Sequence, residues 1–268
     1  MPNKIITDAI ELHNKQAKLF RDRYINFIKD PYLSTFTYGR KKVNEIISGY
    51  LSELPPPKNV LDVGCGTGFT LNVLKNIGYE CVGVDGAEDM VKIARKENPD
   101  IPIYHADALN LPLKDNTFDI VISIELLRYI KDNKKAIYEM YRVLKKGGVC
   151  ITTVAPLLST HGYAIFNCIN SKLHIPNFSS VKQYFETTNS IAKKFREVGF
   201  NDIEVKGCFI GPFLWFGKIL PRKLFALILK AYEPIDNFMS NISFLRNFSN
   251  HLIVIARKGK TTGSDPGM

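Results

Sequence analysis

The segment Asn59-Val60-Leu61-Asp62-Val63-Gly64-Cys65-Gly66-Thr67-Gly68 carries the clearest chemistry in this 268-residue chain. An apolar run stops at three glycines spaced Gly-x-Gly-x-Gly, and helical periodicity follows from Thr70 to Ile77. Glycine admits positive φ and, without a Cβ, lets a ligand lie directly on the main chain. The free N–H groups and the positive end of the helix attract a negatively charged group. Asp85, 21 residues after Gly64, ends a second apolar stretch, Glu80 to Val84. An acid at that point of a strand–helix–strand unit accepts hydrogen bonds from ribose hydroxyls.

Two ligands fit these residues: a nicotinamide or flavin dinucleotide, and S-adenosylmethionine. The dinucleotide fingerprint is Gly-x-G-x-x-Gly, whereas the third glycine here comes one residue early and Phe69 stands where that motif has glycine. Asp62 precedes the first glycine, and its carboxylate suits a cationic amino group better than a pyrophosphate. The chain at this point resembles the class I S-adenosylmethionine-dependent methyltransferases. Val60 to Gly68 matches their first motif, and Val82-Gly83-Val84-Asp85-Gly86-Ala87-Glu88-Asp89-Met90 is similar to their second. His105-Ala106-Asp107-Ala108, Leu111-Pro112-Leu113 with Phe118 to Ser123, and Tyr141 to Gly148 resemble the later ones, in order, across residues 59–155. The resemblance implies S-adenosyl-L-methionine as methyl donor, leaving as S-adenosyl-L-homocysteine. It implies that Asp62, Gly64, Cys65, Gly66 and Gly68 adjoin the methionine part, and that Asp85 and Gly86 meet the ribose. Asp107 would accept from the adenine amine with Ala108 as backbone donor, and Ile124 would also lie against the cofactor. It also implies that N-terminal helices cover the cofactor, with Tyr24, Tyr38 or Arg40 reaching its carboxylate.

Methyl transfer to oxygen or nitrogen often uses one base of near-neutral pKa. His161, after the fifth strand, is a candidate, and so is Glu125, which follows the fourth. Many members of the family place a histidine after that fourth strand, where this chain has Arg128-Tyr129. Arg128 is suited to an acceptor carboxylate or phosphate. The five cysteines lack Cys-x-x-Cys spacing, and no metal site is expected.

These residues must be positioned by alternating strands and helices. Strands are expected near 59–63, 80–84, 101–104, 118–123, 149–154, 202–208 and 251–257, with helices near 69–77, 87–97, 132–143 and 189–198. The implied fold is α/β: a Rossmann-like, seven-stranded, mostly parallel sheet whose last strand is antiparallel. The chain divides into an N-terminal helical cap (1–58), a cofactor-binding core (59–208), an aromatic and basic helical insertion (209–248), the last core strand (249–258) and a tail (259–268) expected to be disordered. Pro55-Pro56-Pro57 closes the cap, and Pro221 suits a first helical turn.

The net charge of +10 is uneven: residues 59–208 hold 18 basic and 17 acidic side chains, so the flanks supply nearly all of the excess. Residues 209–248 hold five basic against two acidic side chains, and eight phenylalanines, tyrosines or their like besides Trp215, the only tryptophan. That insertion reads as a lid over a greasy acceptor, as an interfacial helix with peripheral membrane contact, or as ordinary packing. No stretch there is long enough to span a bilayer, and the N-terminus lacks the apolar region of a secretory signal. A cytoplasmic, membrane-associated location is compatible with these features. Ser123-Ile124-Glu125-Leu126 does not match the Asn/Asp-Pro-Pro-Tyr segment of amino-methylating nucleic-acid enzymes, which argues against a nucleic-acid substrate. The expected function is methyl transfer to a small, partly apolar acceptor (a quinone or polyketide-like ring, a lipid or a lipid-linked sugar), with oxygen favoured as nucleophile. An RNA or protein methyltransferase and a catalytically silent, cofactor-binding scaffold are the alternatives.

Overall fold

A computed structural model describes residues 4–174, 181–211 and 213–259. Residues 260–268 of the tail expected to be disordered (259–268), and the Trp215 side chain, lie outside the described residues. Seven strands form one sheet: β1 (Asn59–Val63), β2 (Glu80–Asp85), β3 (Ile103–His105), β4 (Phe118–Ser123), β5 (Leu144–Val154), β6 (Phe200–Cys208) and β7 (His251–Lys258). Their order is β3-β2-β1-β4-β5-β7-β6. The first five pair in parallel, and β7 runs antiparallel between β5 and β6. Strands β1 and β4 are buried on both faces because helices cover both sides of the sheet. One core lies on each face, one around Leu61, Val121, Met140 and Phe195, the other around Val60, Leu71, Ile122 and Ile253.

Among the described residues, five α-helices connect the strands from β1 to β6. They are α3 (Phe69–Ile77), α4 (Glu88–Glu97), α5 (Asn133–Val143), α6 (Tyr163–Leu173) and α7 (Thr188–Val198). Helix α7 opens with a reciprocal Thr187–Ser190 capping box and closes on Gly199 at φ 114°. Helix α6 was not expected. Its sequence, rich in asparagine and β-branched or aromatic residues, is a poor helix former, and tertiary hydrogen bonds hold it instead. The Asn167 side chain donates to the Val181 carbonyl (3.0 Å) and accepts from the Gln183 N–H (2.9 Å).

Two long helices precede the sheet, α1 (Lys4–Lys29) and α2 (Thr35–Ser52). Between β6 and β7 lie α8 (Phe213–Ile219), α9 (Arg222–Asn241) and a 3-10 turn, Ser243–Phe248. Pro221 is the N-cap of α9, one position before the first helical residue, and Pro234 lies inside it. The inner face of α9 packs on α2. Phe225 and Leu229 join Tyr38, Phe209 and Phe213 in a separate apolar cluster. Asp236, fully buried, accepts from the Tyr38 hydroxyl (2.8 Å) and the Ile210 N–H (2.9 Å), while Glu233 pairs with Lys41. The insertion and the cap therefore brace each other.

Candidate active site

The carboxyl ends of β1, β2 and β4, with α1 and α2 above them, enclose a cavity of about 300 Å³. Its floor is the loop after β1. Gly64 and Cys65 each donate an N–H to the Val84 carbonyl, at 2.7 and 3.0 Å, which clamps the loop to the end of β2. Gly66 sits at φ 55°, and a Cβ built there would meet nothing within 4 Å. That open space beside bare main chain is where a ligand can approach. The Asp85 carboxylate accepts from the Gly66 and Ala87 N–H groups, both at 2.8 Å, and each oxygen retains lone pairs for further donors. Burial raises its pKa, and those backbone bonds oppose the rise. Along the same wall lie Gly86, Met90, Asp107 and Ala108. Asp107 is anchored by its own turn, accepting from the Leu109 N–H at 2.9 Å.

The roof comes from the cap. Tyr24 stacks on Phe69 (centroids 4.7 Å apart), and the Arg40 guanidinium lies over the Tyr24 ring and donates to its hydroxyl. Below Arg40, Asp62 is 2% exposed; burial pushes its carboxyl up to about 7, with Arg40 acting against the rise.

A third group of residues closes the side nearest β4 and β7. Glu125 follows β4 at φ 64°, a conformation costing about 1–3 kcal/mol outside glycine. It is held there by the Thr153 hydroxyl, which accepts the Glu125 N–H at 2.7 Å. The Glu125 carboxylate pairs with Arg128 and lies 3.1 Å from His251 Nδ1. Burial pushes this carboxyl up, yet Arg128, His251 and Arg40 outweigh it and hold it well below the usual range. His251 is the first residue of β7. Because β7 is antiparallel, its beginning lies at the carboxyl end of the other strands, on the cavity wall. The buried Arg128 Nε has no partner among the described residues, and the Arg128 guanidinium packs over Tyr163.

Residues 61–152 match the family model described as a methyltransferase domain. The chain is 32% identical to a demethylmenaquinone methyltransferase of a Geobacillus species over 178 residues, covering 58% of this chain and 75% of that one. An uncharacterized protein of Methanocaldococcus jannaschii is 31% identical over 255 residues, 93% of this chain and 90% of that one. The chain belongs to the S-adenosylmethionine-dependent methyltransferases. A solved methyltransferase structure from Thermotoga maritima shares the fold at 19% identity, with a TM-score of 0.59 over 92% of this chain and 99% of that one.

Of the residues that the sequence of this methyltransferase singles out, Tyr24, Arg40, Gly64, Gly66, Asp85, Gly86, Asp107, Ala108, Ile124, Glu125 and Arg128 line the cavity. Five others do not. Tyr38 is fully buried and points to Asp236 in α9, on the other side of α2 from the cavity residues. His161 lies edge-on to Phe209 at 5.1 Å; burial lowers its pKa to about 3, so it stays neutral away from the cavity. Asp62 lies beneath the wall, and the Cys65 side chain turns into the core with Leu71 and Cys81. Gly68, at φ 80°, is the N-cap of α3, and a Cβ there would lie 2.5 Å from Asn98 Nδ2. It is the joint between strand and helix. Sequence reasoning missed His251, which no local motif marks; the one usable signal is that a histidine opening the antiparallel strand must fall at the ligand end of the sheet.

Proposed function

We propose that this methyltransferase methylates a small, partly apolar acceptor that bears an ionisable hydroxyl, such as a quinol or polyketide-like ring or a lipid. The observation that carries this reading is the Glu125–His251 pair on the wall of a cavity that Ile10, Phe20, Phe36, Leu126 and Tyr129 also line. An aromatic and aliphatic lining suits a ring or chain, and one base beside it suits removal of a hydroxyl proton.

S-adenosylmethionine supplies an activated methyl group when bound. For the chain's own residues the reading is as follows. The backbone of Gly64 and Gly66 cradles the methionine part, Arg40 and Tyr24 hold its carboxylate, and Asp85 accepts from both ribose hydroxyls. Asp107, Ala108 and Ile124 border the adenine. Glu125 bonds His251 at Nδ1 (3.1 Å), and this pair is the base that takes the acceptor's proton. Arg128, already paired with Glu125, retains Nε for an oxygen of the acceptor. The cap helices and the aromatic wall exclude water and align the acceptor, and alignment of this kind supplies much of the rate.

Incubation of the pure protein with labelled S-adenosylmethionine and separated small-molecule, lipid, RNA and protein fractions tests the reading. Label is expected in the small-molecule or lipid fraction. Label confined to RNA or to protein overturns it.

A further inference from the structure

Helix α9 has apolar side chains on its outer face as well as its inner one. Phe225 and Leu229 are buried against α2 and the start of α8, and Asp236 lies on the same side. Leu224, Leu227, Ala231, Ile235 and Phe238 follow helical spacing along the opposite side, and all are exposed. Leu227 is 64% and Phe238 70% exposed. Just before the helix, Ile219 at the end of α8 is 78% exposed. Packing cannot account for this stripe, since the inner face already meets that need.

The stripe is bordered by cations. Arg222, Lys223 and Lys230 are exposed, and among the described residues no carboxylate pairs with them. The acids of the helix, Glu233 and Asp236, are turned inward, where Lys41, Tyr32 and Tyr38 bind them. The outer face is thus both apolar and positively charged. No described helix is long and apolar enough to cross a membrane.

The geometry points to α9 as an interfacial helix that seats this enzyme on an anionic lipid surface. An amphipathic helix with such a face lies in the headgroup plane, its apolar side chains about 5–10 Å deep. Arg222 and Lys223 reach back to the phosphates, their stems along the apolar boundary, and Lys230, whose ammonium lies over the Tyr32 ring at 5.3 Å, adds its charge at the border. Charge favours this occupant over a second copy of the chain: a two-fold contact through the same patch brings two sets of three cations into one interface with no outward carboxylate of α9 to offset them. An apolar acceptor dissolved in that surface would then lie within reach of the enzyme, but lipid docking does not depend on which acceptor is used.

Flotation of the full chain with vesicles tests this, using phosphatidylcholine alone and phosphatidylcholine with added phosphatidylglycerol. The protein is expected to float with the anionic vesicles only, and less so as salt is raised. Lys223→Ala and Lys230→Ala should each weaken binding roughly fivefold. Leu227→Ser with Phe238→Ser should abolish it, with unchanged circular dichroism and S-adenosylmethionine affinity, since both side chains are mainly exposed. Absence of flotation by the unaltered protein overturns the proposal, as does flotation of the double variant at the unaltered level. Dimerisation that the double variant abolishes, without vesicle binding by the unaltered protein, also overturns it. A protein that floats yet labels only RNA keeps this inference and loses the acceptor reading.

Discussion

At the scale of single residues, the cavity rests on two carboxylates used in different ways. Asp85 is held by the Gly66 and Ala87 N–H groups so that its free lone pairs face the cavity. Asp85→Ala removes two hydrogen bonds to a charged acceptor, each worth about 1.5–3 kcal/mol. It should weaken S-adenosylmethionine binding at least ~100-fold by calorimetry. Glu125 acts on a side chain. Replacing His251 with Gln should lower turnover by about 10²–10⁴ while leaving cofactor affinity intact, the pattern of a lost proton acceptor. An effect on affinity alone would assign His251 to binding. His161 makes a separate prediction. Its folded pKa, about 3, lies below the unfolded value near 6.5, so the unfolded chain binds the extra proton between these limits. The stability due to neutral His161 is complete above that upper limit and falls as pH drops toward the lower one. His161→Phe should flatten this loss in denaturant titrations, without changing turnover at neutral pH.

At the scale of elements, the insertion and the cap form one structural unit. Tyr38 links α2 to α9 through Asp236, and Phe209 and Phe225 close the apolar cluster around it. Tyr38→Phe leaves a buried carboxylate without one donor, a cost of about 1–3 kcal/mol. A melting temperature several degrees lower is expected, with S-adenosylmethionine affinity unchanged; a large loss of affinity would return Tyr38 to the cofactor. The strand-to-helix joint after β1 was legible because its glycines have steric reasons to be there. Helix α6 was not, because its stability comes from Asn167 bonding to a segment distant from its own turns. The sequence left three roles open for the insertion that contains α9. Apolar residues surround most of that helix, and only packing decides which of them are inside.

For the whole molecule, the sheet and the cap meet around one cavity and the insertion braces the cap from behind, so occupancy should stabilise all three. At S-adenosylmethionine concentrations of about 100 times Kd, linkage adds roughly 2.7 kcal/mol. For a chain of this size that corresponds to a rise in melting temperature of about 5–10 °C, which scanning calorimetry would register. Arg40→Ala should reduce the rise, because Arg40 joins the roof to Tyr24 and faces the buried Asp62. An unaltered rise would remove Arg40 from the cofactor's surroundings.

The sequence by itself determined the fold class, the methyl donor and the glycines and acids along one wall of the cavity. These features are local: apolar strands, glycines that must turn sharply, and acids at strand tips, each within a few residues of its neighbours in the chain. Tertiary structure alone decided which of the remaining polar residues share a space. His251 meets Glu125 across 126 positions because an antiparallel strand returns it to the ligand end of the sheet. Tyr38 meets Asp236 across 198 positions because α9 folds back on α2. Contacts of that range leave no periodicity or spacing in the chain, since nothing local requires them.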